Sequence, residues 1–181
     1  MFNNQRVIPA ISTHQSVKKF IGTSLDYGIL MNFQLAQVKE LVDMIHAKDK
    51  KALIHLDMIK GLSPDIYGGI FAIQELGVDG LITTKPKVIE LCQKRGVIGI
   101  LRFFLKDRHS LKQSIDILKQ SAPDAVEVLP AMRTDIISTI KAHTGAMVLM
   151  GGLITDKSMI TDCLNNGAVA VTISKESLWD Y

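Results

Sequence analysis

The sequence predicts a (β/α)8 barrel, a compact single α/β domain over residues 1–181, and three observations carry that prediction. Short apolar runs of strand length alternate with segments of helical spacing, the pattern of a parallel sheet with crossover helices. About eight such units fit in 181 residues, which leaves about 23 residues for each: a strand, a helix and two short loops. Glycines punctuate the units at recurring positions, with no linker or low-complexity stretch between them. Eight right-handed βα units can close on themselves, and closure removes the edges that an eight-stranded open sheet would leave exposed. An open doubly wound sheet is the alternative architecture.

The expected strands are Val7–Ala10, Gly28–Met31, Ala52–Leu56, Gly80–Thr83, Gly99–Phe103, Ala125–Leu129, Met147–Met150 and Val169–Ile173. Their apolar residues run without alternation, as in strands covered on both faces. Between them Leu35, Val38, Leu41, Val42 and Ile45 share one helical stripe, as do Ile66, Ile70 and Ile73, and Leu111, Ile115 and Leu118. Ser63-Pro64-Asp65 sets an N-cap, a proline at the first helical position and an acid in the first turn, and Thr155-Asp156 offers a second start capped by Thr155. Gly77, Gly96, Gly145 and Gly167 each follow a helical pattern, where a left-handed cap is expected. Because the usual barrel has about 250 residues, the first helix should be short, around Gln15–Ile21, and the last should begin at Ser177.

Composition narrows the function classes. With 47% hydrophobic and 22% charged residues the chain is too apolar to be disordered. No run approaches the roughly 18 uncharged apolar residues of a membrane span, and Met1–Arg6 lacks the form of a secretory signal, so a cytoplasmic protein with no membrane partner is expected. Cys92 and Cys163 have neither disulfide nor zinc-site spacing and should both be buried; no metal and no cofactor is assigned. The net charge of +3 is uneven. Lys85 to Lys119 holds nine Lys or Arg against three acids, a local +6 that leaves the remainder at −3. Such a stretch is either a solvated helix surface or a site for a polyanion, and Phe103 and Phe104 within it are expected to fill the core rather than stack on bases.

In such a barrel chemistry sits where the strands end. His55 and Asp57, two apart at the end of the third strand, should face the same way and could converge on one ligand or proton. They supply too few ligands for zinc. Glu127 interrupts the sixth apolar run and Arg102 the fifth; a carboxylate there needs a cation or a ligand hydroxyl, so the two either pair with one another or face the ligand. Gly151-Gly152 ends the seventh strand before a helix, and Ser174-Lys175 ends the eighth directly beside it. Those two loops form the recurrent phosphate cradle of barrel proteins, with Gly151, Gly152 and Ser174 as the candidates to hold an anion.

Taken in order, these junctions resemble the glycerol-3-phosphate-responsive antiterminator family, regulators of bacterial glycerol-uptake operons. The likeness runs through Pro9-Ala10-Ile11, Tyr27-Gly28, His55-x-Asp57 with Gly61, Asp65 and Tyr67-Gly68, and Arg102-x-Phe104-Leu105-x-Asp107. It continues in Glu127-Val128-Leu129-Pro130, Gly151-Gly152-x-Ile154, Ala168 to Thr172, Ser174 and Leu178-Trp179. The resemblance implies a barrel that binds glycerol 3-phosphate as an effector and, so loaded, acts on leader mRNA to let transcription pass a terminator. It places the phosphate at Gly151, Gly152 and Ser174 and the polar mouth at His55, Asp57, Arg102 and Glu127. From the basic stretch, Lys85, Lys87, Lys106 and Arg108 are the candidates for RNA contacts, and a homo-oligomer is possible. The chain departs from the family pattern at the end of strand two, where Asn32 and Gln34 replace an acid and a His, and at Ser12 and Leu101, which replace an Arg and a Gln. Those changes admit another small phosphate as effector. An enzyme acting on a glycerol or triose phosphate is the rival class, with His55, Asp57 or Glu127 as acid and base.

Overall fold

Eight parallel strands hydrogen-bond in chain order, and the last pairs back onto the first, so the sheet is a closed barrel. They are β1 (Val7–Ile11), β2 (Tyr27–Leu30), β3 (Lys51–His55), β4 (Gly80–Thr83), β5 (Ile98–Phe104), β6 (Ala125–Leu129), β7 (Met147–Gly151) and β8 (Ala170–Ile173). Closure is set by the register Val7↔Val171, Ile8↔Thr172 and Pro9↔Ile173. The computed structural model describes residues 1–105 and 108–181, apart from the side chains of residues 108–110 and 113.

Among the described residues seven helices cross between the strands: α1 (His14–Ile21), α2 (Leu35–His46), α3 (Ile66–Gln74), α4 (Pro86–Arg95), α5 (Arg108–Ser121), α6 (Ile137–Thr144) and α7 (Lys157–Asn165). After β8 a single 3-10 turn, Glu176–Leu178, stands where an eighth helix beginning at Ser177 was expected. Trp179, 1% exposed, completes that cover and donates its indole N–H to the Ile173 carbonyl at 3.0 Å. One aromatic side chain thus shields what a helix would otherwise cover.

Two helix starts differ from the expectation. The α3 cap is Asp65, which accepts from the Gly68 N–H at 3.0 Å, while Ser63 donates its hydroxyl to Asp65 at 2.6 Å and stays outside the helix. Asp156 caps α7 by accepting from the Met159 N–H, and Thr155 precedes it. In both places an aspartate one or two residues on reaches the free helical N–H groups. Gly77, Gly96, Gly145 and Gly167 all have the left-handed φ expected of them, from 67° to 101°.

The unbroken apolar runs divide by parity into two layers. Ile8, Ile29, Leu53, Ile82, Ile100, Ala125, Leu149 and Ala170 fill the barrel interior, with Phe2 entering from the N-terminal end against Tyr27. The intervening residues, among them Ile54, Leu81, Leu101, Val126, Val148 and Val171, pack outward with the helices. Phe103 joins the outer layer, whereas Phe104, expected in the core, is 54% exposed because it follows with opposite parity at the strand end. Both cysteines are buried, and burial pushes their thiols up, Cys92 to about 12 and Cys163 to about 11.

Gly80 is required by space. A Cβ there would lie 2.7 Å from the Ile98 Cβ and carbonyl oxygen and 2.8 Å from Leu53 Cδ2, contacts that backbone cannot relieve cheaply. Gly80→Ala should therefore lower stability by about 1–3 kcal/mol. Urea unfolding checks this, and a wild-type midpoint for the variant would contradict it.

Candidate functional site

The interior layer changes character at the C-terminal ends of the strands. Continuing the inward parity from Leu53, Ile100, Ala125, Leu149 and Ala170 by two residues gives His55, Arg102, Glu127, Gly151 and Thr172. The floor of the barrel is apolar and its mouth polar because β3, β5, β6 and β8 each follow an inward apolar residue with an inward polar one. Register holds these residues level: Arg102 lies opposite Glu127, and Gly151 opposite Thr172.

Glu127 is 1% exposed and its two oxygens are both engaged. Arg102 donates from Nε to Oε2 at 2.5 Å and Thr172 donates from Oγ1 to Oε1 at 2.6 Å. The pairing that was one reading of these two residues is thus present. Arg102 also reaches Met58 Sδ with Nη1, at 3.8 Å. Gly151 makes room for this network: a Cβ on it would stand 2.2 Å from Thr172 Oγ1 and 3.1 Å from Glu127 Oε1. Its role here is close approach to a carboxylate.

His55 is 2% exposed, and among the described residues neither of its ring nitrogens has a hydrogen-bond partner. Burial first, and the Arg102 charge second, push its pKa down from 6.5 to about 4. The ring is therefore neutral at pH 7, with one nitrogen able to donate and the other to accept. Asp57 does not sit on the strand as expected, because β3 ends at His55 and Leu56–Met58 form a 3-10 turn. That turn still returns the carboxylate to 3.9 Å from His55 Nδ1. Asp57 is 18% exposed and accepts from the Thr84 N–H and Oγ1, each at 3.1 Å, which ties the end of β3 to the loop after β4.

The loops after β7 and β8 stand side by side. Lys175 donates from Nζ to the Thr155 carbonyl at 2.8 Å, bridging them. Gly152 has φ 77°, and its carbonyl accepts from the Ala131 N–H at 3.3 Å, so the turn is also held to the loop after β6. Ser174 is exposed just beyond β8. Among the described residues no group of three or more His, Cys, Asp or Glu could hold a metal ion.

Lys85 and Lys87 are exposed at the start of α4. Lys106 and the side chain of Arg108 lie outside the described residues. The four positions that depart from the family pattern have local accounts. Asn32 takes a left-handed φ of 64°, and Gln34 precedes α2, its N–H donating to Gln37 Oε1 at 3.1 Å. Leu101 is fully buried in the helix-side layer and faces away from the mouth, and Ser12 is exposed. Thr172, Thr84 and Met58 were not among the expected site residues. Thr172 carried a signal nonetheless, as a polar residue of inward parity in an apolar run, whereas Thr84 and Met58 reach the site through turns that periodicity does not reveal.

Fold and site together define a single (β/α)8 barrel with an internal charge network at the C-terminal end of the strands. The chain belongs to the glycerol-3-phosphate responsive antiterminator family, whose pattern matches residues 7–179. The glycerol uptake operon antiterminator regulatory protein of Listeria monocytogenes superposes with a TM-score of 0.94 at 30% identity, over 99% of this chain and 97% of that one. A glycerol uptake operon antiterminator-related protein of Thermotoga maritima gives 0.83 at 23% identity over the whole of both chains. Deoxyribose phosphate aldolase of Aeropyrum pernix gives 0.75 at 12% identity over 94% of this chain and 86% of that one, a likeness of fold alone.

The His55 environment fixes a pH dependence. The folded form has the lower pKa, so the unfolded chain takes up the proton first; stability falls as pH drops through 6.5 and levels off below about 4. Between pH 7 and pH 5 this amounts to about 2 kcal/mol. His55→Gln should flatten the stability profile over that interval by about that amount, as measured by urea unfolding at each pH. An unchanged slope would contradict the assignment.

Proposed function

We propose that this chain is a cytoplasmic, effector-responsive regulator: it binds glycerol 3-phosphate at the mouth of the barrel and, so loaded, acts on the leader mRNA of a glycerol-uptake operon. The observation that carries this reading is the buried, neutral His55 ring without a partner among the described residues, set in a mouth whose neighbouring carboxylate is already neutralised. A buried polar group of that kind favours a ligand that both donates and accepts hydrogen bonds, which a glycerol hydroxyl does. Asp57, beside His55, offers a second acceptor for the adjacent hydroxyl.

The phosphate would rest on the backbone N–H groups of the Gly151-Gly152 turn and on Ser174. The Lys175 bridge to Thr155 holds these two loops together and adds a positive charge at their edge. Glu127, with both oxygens engaged, orients Arg102 more than it binds ligand, and Arg102 retains donors for a phosphate or hydroxyl oxygen. Family membership supports glycerol 3-phosphate over other small phosphates, and Leu101, in the helix-side layer, faces away from the mouth.

Regulation is favoured over catalysis by the character of the buried basic and acidic side chains. Among the described residues these are Lys50, His55 and Glu127; Lys50 lies at the opposite end of the barrel, where it donates to the Thr23 and Leu25 carbonyls. A histidine with its pKa near 4 is a weak base at neutral pH.

Thermal unfolding with glycerol 3-phosphate, glycerol and inorganic phosphate tests the effector. At a hundredfold excess over Kd, selective stabilisation by the first of about 2.7 kcal/mol is expected. No shift, or an equal shift with glycerol alone, would overturn the effector assignment.

A further inference from the structure

The end of the barrel that carries the polar mouth also carries solvent-exposed aromatic rings. Tyr67, in the first turn of α3, is 82% exposed, and Phe104, at the end of β5, is 54% exposed. Between them in the order of the barrel lies the loop from β4 to α4, with Lys85 at the helix cap and Lys87 in its first turn. Lys60 is exposed on the loop before α3, and Asp65 is the acid at its cap. The rim from β3 to β5 therefore reads aromatic, lysine, lysine, aromatic. Neither ring packs on another aromatic among the described residues. A second copy docked symmetrically here would bring its own lysines against these, which like charge opposes. Flat apolar faces interleaved with single positive charges match a single-stranded polynucleotide, whose bases stack on the rings and whose phosphates meet the ammonium groups.

The geometry points to this rim as the RNA-binding surface, with bases on Tyr67 and Phe104, phosphates on Lys85 and Lys87, and Asp57 as its link to the effector. The inference rests on the effector-and-RNA reading above. The link is physical: Asp57 holds the Thr84 N–H and hydroxyl, and the next residue, Lys85, donates its N–H to Thr83 Oγ1 at 3.1 Å. A ligand hydroxyl drawing Asp57 toward His55 competes with Thr84 for the same oxygens. The effector then shifts the position of the lysine-bearing loop, which gives it the differential contact that a switch requires.

The test begins with selection from a random-sequence RNA pool on the full chain with glycerol 3-phosphate present; the enriched RNA is the probe for titration by fluorescence anisotropy. Tyr67→Ala and Phe104→Ala should each weaken binding about 5- to 150-fold, with Tyr67→Phe retaining it, and each lysine changed to Ala should reduce the salt slope by about 0.7. Unchanged melting temperatures show that these surface variants fold. Thr84→Val, which removes one competitor for the Asp57 oxygens, should bind glycerol 3-phosphate more tightly than wild type while reducing the effect of glycerol 3-phosphate on RNA affinity. If no RNA is enriched, the RNA reading itself fails. If RNA is enriched but binds the Tyr67 and Phe104 variants as tightly as wild type, the reading stands and this surface is wrong. A change from dimer to monomer in Tyr67→Ala with RNA affinity intact would assign the rim to a second copy and overturn the inference.

Discussion

The Glu127 carboxylate lies inside the barrel with 1% of its surface exposed, and Arg102 and Thr172 hold its two oxygens. Removing such a group from water costs several kcal/mol, which a close ion pair and a short hydrogen bond offset only when their geometry is held. The barrel supplies that geometry. Residues of one parity from β5, β6 and β8 meet at the mouth: Arg102 is in register with Glu127, and Thr172 reaches the same carboxylate from across β7. Gly151 belongs to the same constraint, since a side chain there would collide with Thr172 and crowd Glu127.

With that network in place, the rest of the mouth takes on its properties. The Arg102 charge adds to burial in keeping His55 neutral, so the ring offers one donor and one acceptor. Asp57 serves two sides, lying near His55 while bonding to the loop after β4. On the far side, the loops after β7 and β8 are joined by Lys175. In the proposed function the His55 flank takes the polyol hydroxyls and the loops after β7 and β8 take the phosphate, while Asp57 ties the mouth to the loop after β4.

Most of the fold was legible because closure and parity are sequence-level properties. The strand-length apolar runs and the left-handed glycines place the units, and β4 and β6 fall at their expected bounds. What was not legible depended on local competition: whether Ser63 or Asp65 would cap α3, whether the tail would form a helix or a turn under Trp179, and how Phe104 would face at a strand end. In the site, Glu127 and Arg102 announced themselves as charges in apolar runs, and their pairing was one of two open readings. The Asp57 contact to Thr84 was hidden, since it comes from a turn that redirects the chain after His55.

A crystal structure of the chain with glycerol 3-phosphate bound tests the central claim most directly. The account predicts phosphate oxygens on the N–H groups of the Gly151-Gly152 turn and on Ser174, a glycerol hydroxyl on a His55 ring nitrogen, and the Arg102–Glu127 pair retained. A phosphate bound away from the loops after β7 and β8, or a His55 ring untouched by the ligand, would contradict it.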